Sequence, residues 1–342
     1  MNCNIPGFET FGVEMLKEPL RNAGWGCYWH NPAGTFADWW LDGARHCIAD
    51  CGFDGMYMDG TCYPELSANE LDGMAWTDPA GNQHGRYPIW AIRDFIERLY
   101  VMLHCELKRT GGVDIHDGRE PLHFIAGFSD TAVSGEYHLT RGKTILEVFD
   151  PHEFAAYYMT HLHGVARRFI WANWMKLPIT ENEMWSMVLL HDMYLPLAGG
   201  TPKYYWNYVG YDAKTQAWVR LRKIREAFDG AEFLPYWSER KPIAAEPGGP
   251  LASAWVDKEK RRALVVVSNL ATKPWQGTVR FDTSLLGVGA DAEVADAMFD
   301  QPLGRKAAEP VPVAIEPQRY RLFILNDRVP LPPKPKLDGS KP

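Results

Sequence analysis

The sequence predicts an α/β chain: a (β/α)8-type, TIM-like barrel followed by a small antiparallel β-sandwich. Three observations carry this. Residues 25 to about 225 alternate short apolar runs with helix-length amphipathic stretches, the order that lays parallel strands under crossover helices. The short runs are continuously apolar, as expected of strands covered on both faces. From about residue 240 the pattern turns all-β, with Gly, Pro, Asp and Asn in the turns. An open doubly wound sheet would usually carry a glycine-rich phosphate turn after its first strand, and the sequence has none, so a barrel is expected instead.

The candidate strands of the first part are "GCYWHN" (26–31), "GMYMDG" (55–60), "LHFIAGF" (122–128), "TILEVF" (144–149), "RRFIWAN" (167–173) and "LPLAGG" (195–200). Between them lie four helical patterns. The first places Phe36, Trp39, Trp40, Ile48 and Cys51 on one side and stops at Gly52, a natural C-terminal cap. The second begins at Pro88 and ends at Gly111 and Gly112. The third opens with Asp150 and Pro151 and closes at Gly164. The fourth has Thr180 and Glu183 in capping-box spacing. Six strands fall short of eight. Residues 1–24 hold the tail of one βα unit at most, so the first one or two strands are expected to be missing from the chain as given or supplied elsewhere. The expected boundaries are 1–238 for the N-terminally incomplete barrel and 239–328 for the β-sandwich. A proline-rich tail, 329–342, is expected to be disordered. The sandwich strands are "ALVVVSN", "GTVRFD", "AEVADAM", "PVAIEP" and "YRLFILN".

The bulk composition narrows function. With 342 residues, 46% hydrophobic and 23% charged, the chain is ordinary for a globular protein. A net charge of −7 and no basic face argue against nucleic acid. No apolar run of about 18 residues exists to span a membrane. The start, "MNCNIPGFET", has neither the basic residues nor the apolar stretch of a signal peptide, which points to a cytoplasmic protein. Fourteen Trp, fifteen Tyr and fifteen Phe are many for this length. Flat aromatic rings suit the C–H faces of sugars, or fill a large core. Six cysteines, all in the first third, form no zinc-ligand spacing and are read as buried thiols.

Catalytic side chains of a parallel barrel sit at the carboxyl ends of its strands. Asp59 ends the "GMYMDG" run and is followed by Gly60. His30 and Asn31 end the run before it, Asn173 ends "FIWAN", and Glu136 lies in "SDTAVSGEYHL" after the "HFIAGF" run. Two carboxylates from different strands are what glycoside hydrolysis needs: one protonates the leaving oxygen, the other attacks the anomeric carbon or activates water. Asp59 is the candidate nucleophile and Glu136 the candidate acid/base, with Asp130 as the substitute for Glu136. A helix cap for Asp59 and a solvated loop carboxylate for Glu136 are the structural alternatives. A retaining mechanism is favoured, and requires the two carboxyl groups to lie near 5 Å apart. Sugar contacts are expected from Tyr28, Trp29, His30, Tyr57, Trp76, His84, Arg86, Tyr137, His138, Trp171, Asn173 and Trp174. Residues 62–88 form a long polar loop directly after Asp59, of the kind that builds lids and binding walls.

The stretches "FDGMYMDGT", "GRYPIWAIRDFIERLY", "SGEYHL" and "ILEVFDPHEFAAYYM" resemble a family of bacterial glycoside-hydrolase-type domains over residues 25 to 210. More distantly, the layout resembles α-amylase-like and endo-α-N-acetylgalactosaminidase-like barrels. That resemblance implies a nucleophilic Asp after the fourth strand and an acid/base Glu after the fifth, with a C-terminal β-sandwich. It makes Asp59 the end of strand four, and it implies a carbohydrate substrate (an oligo- or polysaccharide or a glycoconjugate) and no cofactor.

Two rival functions stand beside the glycosidase. A metal-dependent hydrolase would use His161 and His163 of "HLHG", but the pair is placed on a helix, where i and i+2 point apart. His116 and His123 do not complete such a site. A non-catalytic carbohydrate-binding barrel would keep the aromatic side chains and lack the acid pair.

Overall fold

The computed structural model describes residues 32–59, 66–71, 73–116, 123–134, 144–159, 165–169, 179, 181–193 and 213–330. Within them the chain divides into two compact units. The first takes the described residues up to 134 together with 165–168; the second takes 144–159 and those from 169 onward.

In the first unit, helix α1 (Phe36–Cys51) ends on Gly52 in the left-handed conformation, φ 75°, as its sequence predicts. Its buried stripe is Phe36, Ala37, Leu41, Ala44 and Ile48. Trp39 and Trp40 flank that stripe, half-buried, Trp39 beside Phe36 and Trp40 against Phe95. Cys47, Cys51 and Cys105 are exposed, which corrects the expectation of buried thiols for these three. Strand β1 (Met56–Met58) follows, then a two-stranded hairpin of β2 (Trp76–Thr77) and β3 (Gln83–His84). Helix α2 (Ile89–Tyr100) continues as one π-helical segment, Val101–Glu106. Pro88 precedes its first residue as the cap.

The next strand, β4 (Val113–His116), is not among the expected six. The "LHFIAGF" run, expected as a strand, contains a short helix instead, α3 (His123–Ala126). The strand there is β5 (Thr131–Ser134), in the stretch expected as a loop. The "TILEVF" run is likewise a helix, α4 (Ile145–Val148), part of the second unit. Thr144 and Glu147 form a full capping box at its start, so the local signal for a helix outweighs the apolar run. Strand β6 (Ala166–Phe169) matches the start of the "RRFIWAN" run. The runs at 26–31 and 195–200 lie outside the described residues.

The sheet has the order β1-β4-β5-β6, with β1 parallel to β4 and β4 parallel to β5. Alternation sorts its side chains. Met58, Val113, Ile115 and Ala132 pack with α1 and α2 in one core that also holds Ile48, Ile96, Leu99 and Leu103. Each such fully buried aliphatic side chain contributes about 1.5–3 kcal/mol. Tyr57, Asp114, His116 and Thr131 lie on the opposite parity, the face turned from those helices. Backbone packing at the amino ends is close: a Cβ on Gly55 would stand 2.4 Å from Gly112 O, and one on Gly111 2.3 Å from Asp54 O.

In the second unit, α5 (Pro151–Tyr158) starts as its sequence predicts, with Asp150 accepting from the His152 and Glu153 amides and Pro151 in the first turn. It stops at Tyr158, with Met159 extended, well short of Gly164. Phe149, Phe154, Tyr158 and Phe169 form one aromatic cluster with ring centroids 5.1–5.8 Å apart, four of its pairs edge-to-face and the two of Phe154 with Tyr158 and Phe169 tilted. Helices Glu181–Val188 and Ala213–Ala227 contribute to the same core. The remainder is antiparallel. Five expected strands are present as β10 (Arg262–Asn269), β11 (Trp275–Phe281), β12 (Glu293–Asp296), β14 (Val311–Ile315) and β15 (Arg319–Leu325). They are joined by β7 (Glu232–Leu234), β8 (Ile243–Glu246), β9 (Leu251–Asp257) and β13 (Gln301–Lys306). One sheet runs β13-β12-β15-β10-β9-β7 and the other β14-β11-β8. Inner residues of both, among them Val265, Val267, Phe323, Val279 and Val313, share one core.

Candidate active site

The carboxyl edge of the four-stranded sheet carries the polar groups. Register pairs Tyr57 with Asp114 and Met58 with Ile115, so Asp59 and His116 are the next residues beyond on adjacent parallel strands. Asp59 stands just past the end of β1, and its side chain is 72% exposed. Its carboxylate Oδ1 lies 3.0 Å from His116 Nδ1. Tyr57 Oη lies 3.0 Å from the same nitrogen. The imidazole is buried, 5% exposed, so it stands as a fixed post between an exposed carboxylate and a half-exposed phenol.

One step down the strands a second carboxylate is already engaged. Asp114 accepts a hydrogen bond from Thr131 Oγ1 at 2.6 Å and pairs with the Arg168 guanidinium. Burial pulls the Arg168 pKa below its ordinary value, and the field of Tyr57 opposes that. Both Asp114 oxygens are thus engaged, one by a hydroxyl and the other by a guanidinium. Asp114 is therefore a support under the site.

Asp130 is not a substitute acid. It precedes β5, at the amino end of the sheet, where its carboxylate accepts from the Val113 amide at 2.8 Å and bonds His104 Nε2 at 2.9 Å. Its work is to hold the start of β4. Glu136 follows Ser134 by two residues and lies outside the described residues, as do Tyr28, Trp29, His30, Tyr137, His138, Trp171, Asn173 and Trp174. In sequence it follows β5, and β5 is separated from β1 by β4.

Of the loop residues, Trp76 and His84 face each other across the hairpin, stacked at 4.6 Å with planes 26° apart, and both are exposed. His84 Nε2 lies 2.9 Å from Asp78 Oδ2. Arg86 is exposed and its backbone bridges Ser67. The structure thus builds Trp76 and His84 into one aromatic ledge, and it places Tyr57 beside Asp59. It adds His116, which the sequence reading sets aside. The signal was present: "VDIH" alternates apolar and polar, the pattern of a strand with one face in the core and one in a site.

Among the described residues no group of three or more His, Cys, Asp and Glu could hold a metal ion, and no helix is long and apolar enough to cross a membrane. His161 and His163 lie outside those residues.

No protein-family model matches the chain, and no curated protein matches it. Solved structures do. The chain is similar to a GH27 β-L-arabinopyranosidase from Geobacillus stearothermophilus in complex with arabinose, with TM-score 0.55 and 13% identity over 93% of this chain and 68% of that one. It is similar to an α-amylase from Anoxybacillus, with TM-score 0.56 and 10% identity over 94% and 72%. A noncanonic maltogenic α-amylase from Thermotoga neapolitana gives TM-score 0.50 and 12% identity over 94% and 72%. The fold is one that glycoside hydrolases use. The described residues comprise a four-stranded sheet, antiparallel sheets of six and three strands, and the two-stranded hairpin.

Proposed function

We propose that the chain is a glycoside hydrolase, with Asp59 as nucleophile and Glu136 as general acid/base, acting with retention on a carbohydrate. One observation carries the reading. Asp59 is an exposed carboxylate at the carboxyl end of a parallel strand, oriented by a buried histidine, in a fold shared with glycosidases. On this reading the four strands belong to a (β/α)8-type barrel, with residues 239–328 as a separate β-sandwich domain.

The acid pair must close a gap. Adjacent strands lie about 4.8 Å apart, so β1 and β5 are about 10 Å apart between backbones. Retention requires about 5 Å between the carboxyl groups, which two side chains leaning toward each other from next-but-one strands can reach. The sugar would sit over His116 and Tyr57.

The test is a panel of aryl glycosides assayed with wild type, Asp59→Asn and Glu136→Gln. Hydrolysis of at least one glycoside is expected, with a loss of about 1,000-fold or more in Asp59→Asn. Substrates with an activated leaving group should partly spare Glu136→Gln, since they need little protonation. Binding of a sugar without turnover by wild type would move the chain to the non-catalytic class.

A further inference from the structure

Two thiols stand together at the end of helix α1. Cys47 and Cys51 are both exposed, four residues apart in the last turns of Phe36–Cys51. Four residues advance an α-helix by about 6 Å and return it to nearly the same face, so the two side chains are neighbours with Cβ atoms about 5–6 Å apart. That spacing sorts what the pair can do. A disulfide needs Cβ atoms about 3.5–4.5 Å apart, closer than an intact turn brings them. A soft ion bridging two thiolates at about 2.3 Å each sets the sulfurs about 4.6 Å apart, within reach of both side chains in staggered rotamers.

The number of donors selects the ion. Zinc takes at least three protein ligands, and among the described residues no group of three or more His, Cys, Asp and Glu could hold a metal ion. Monovalent copper is soft, favours thiolates and is stable with two of them in line. We propose that Cys47 and Cys51 form a two-coordinate dithiolate site for a soft monovalent metal ion of the copper(I) kind. Binding releases both thiol protons and leaves a bis-thiolate complex with one net negative charge. The helix end suits a cation, since carbonyl partial charges gather there and the last turn has no basic residue of its own. Arg109 donates to one of those carbonyls, Ile48 O, at 3.1 Å. Against that single charge, the acids Asp50 and Asp54 flank Cys51 in sequence, both exposed. The site is independent of the glycosidase reading.

The test separates a chelate from thiols acting singly. Copper(I), kept reduced and free of oxygen, is titrated into the full chain in competition with a chromophoric copper(I) chelator. Either Cys47→Ser or Cys51→Ser should lower the affinity of the tightest site by about 100-fold or more, because the second thiolate binds at high effective concentration only when the first is present. Cys105→Ser, which removes the exposed thiol of the π-helical segment, should leave it unchanged. A second readout needs no variant: one equivalent of copper(I) should protect Cys47 and Cys51, and not Cys105, from alkylation by iodoacetamide, read by peptide mass spectrometry. Equal, partial losses in all three serine variants would show independent thiols and overturn the proposal. So would full affinity in Cys47→Ser, or alkylation of Cys47 and Cys51 as fast with copper as without.

Discussion

Asp78 shows how much one carboxylate can organise. Its Oδ2 lies 2.9 Å from His84 Nε2 and accepts from Asn82 Nδ2, while its Oδ1 accepts from the Ala80 and Asn82 amides. These bonds, that of His84 foremost, hold its pKa down at about 2. A folded-state pKa below the unfolded value of about 3.9 stabilises the fold above that value and ceases to do so as pH falls through the folded one. The hairpin amides of Ala80 and Asn82 should therefore exchange slowly at pH 5 and lose protection between about pH 4 and 2, measured by NMR. Asp78→Asn should bring the loss to neutral pH. At the residue scale the sequence was informative where chemistry is local: Gly52 and the Asp150–Pro151 cap could be read directly. Asp59 could be read as a strand-end acid. His116 could not, because its role depends on a partner 57 residues away that only strand register supplies.

At the scale of elements, the misreadings share one cause. "HFIA" and "ILEV" each hold three apolar residues in four, too few for periodicity to separate strand from helix, and each becomes a turn of helix. "VDIH" alternates apolar with polar and "TAVS" is half polar, so both are overlooked by a search for continuous apolar runs. The amino ends of β1 and β4 carry their own constraint. Gly55 and Gly111 let two backbones approach within what a Cβ would occupy, so Gly55→Ala should destabilise the chain by about 1–3 kcal/mol in urea unfolding. In the 3-10 turn after helix Glu181–Val188, His191 lies buried, its Nδ1 2.7 Å from Met187 O and its Nε2 3.0 Å from Pro151 O. Burial outweighs these bonds and pushes its pKa down to about 4. The fold thus favours the neutral ring, and its contribution is complete above the unfolded pKa of about 6.5 and lost as pH falls through 4. Unfolding free energy should drop by about 3 kcal/mol across that window. His191→Gln should flatten the profile.

On the scale of the whole molecule, the sequence conveys class better than count. Parallel strands, crossover helices and a late antiparallel part are all present, and the fold matches glycosidases at 10–13% identity, where sequence comparison alone is silent. The count of strands between the two acids was not legible, since it turned on which apolar runs are strands. The account stands on Asp59 attacking a sugar. That step leaves a mark: a 2-deoxy-2-fluoro glycoside with a good leaving group, matched to the sugar the chain hydrolyses, should trap a glycosyl–enzyme ester that intact-mass and peptide-mapping spectrometry can locate. The account expects one adduct, on the peptide containing Asp59 and absent from Asp59→Asn; an adduct on another residue, or full turnover by Asp59→Asn, would contradict it.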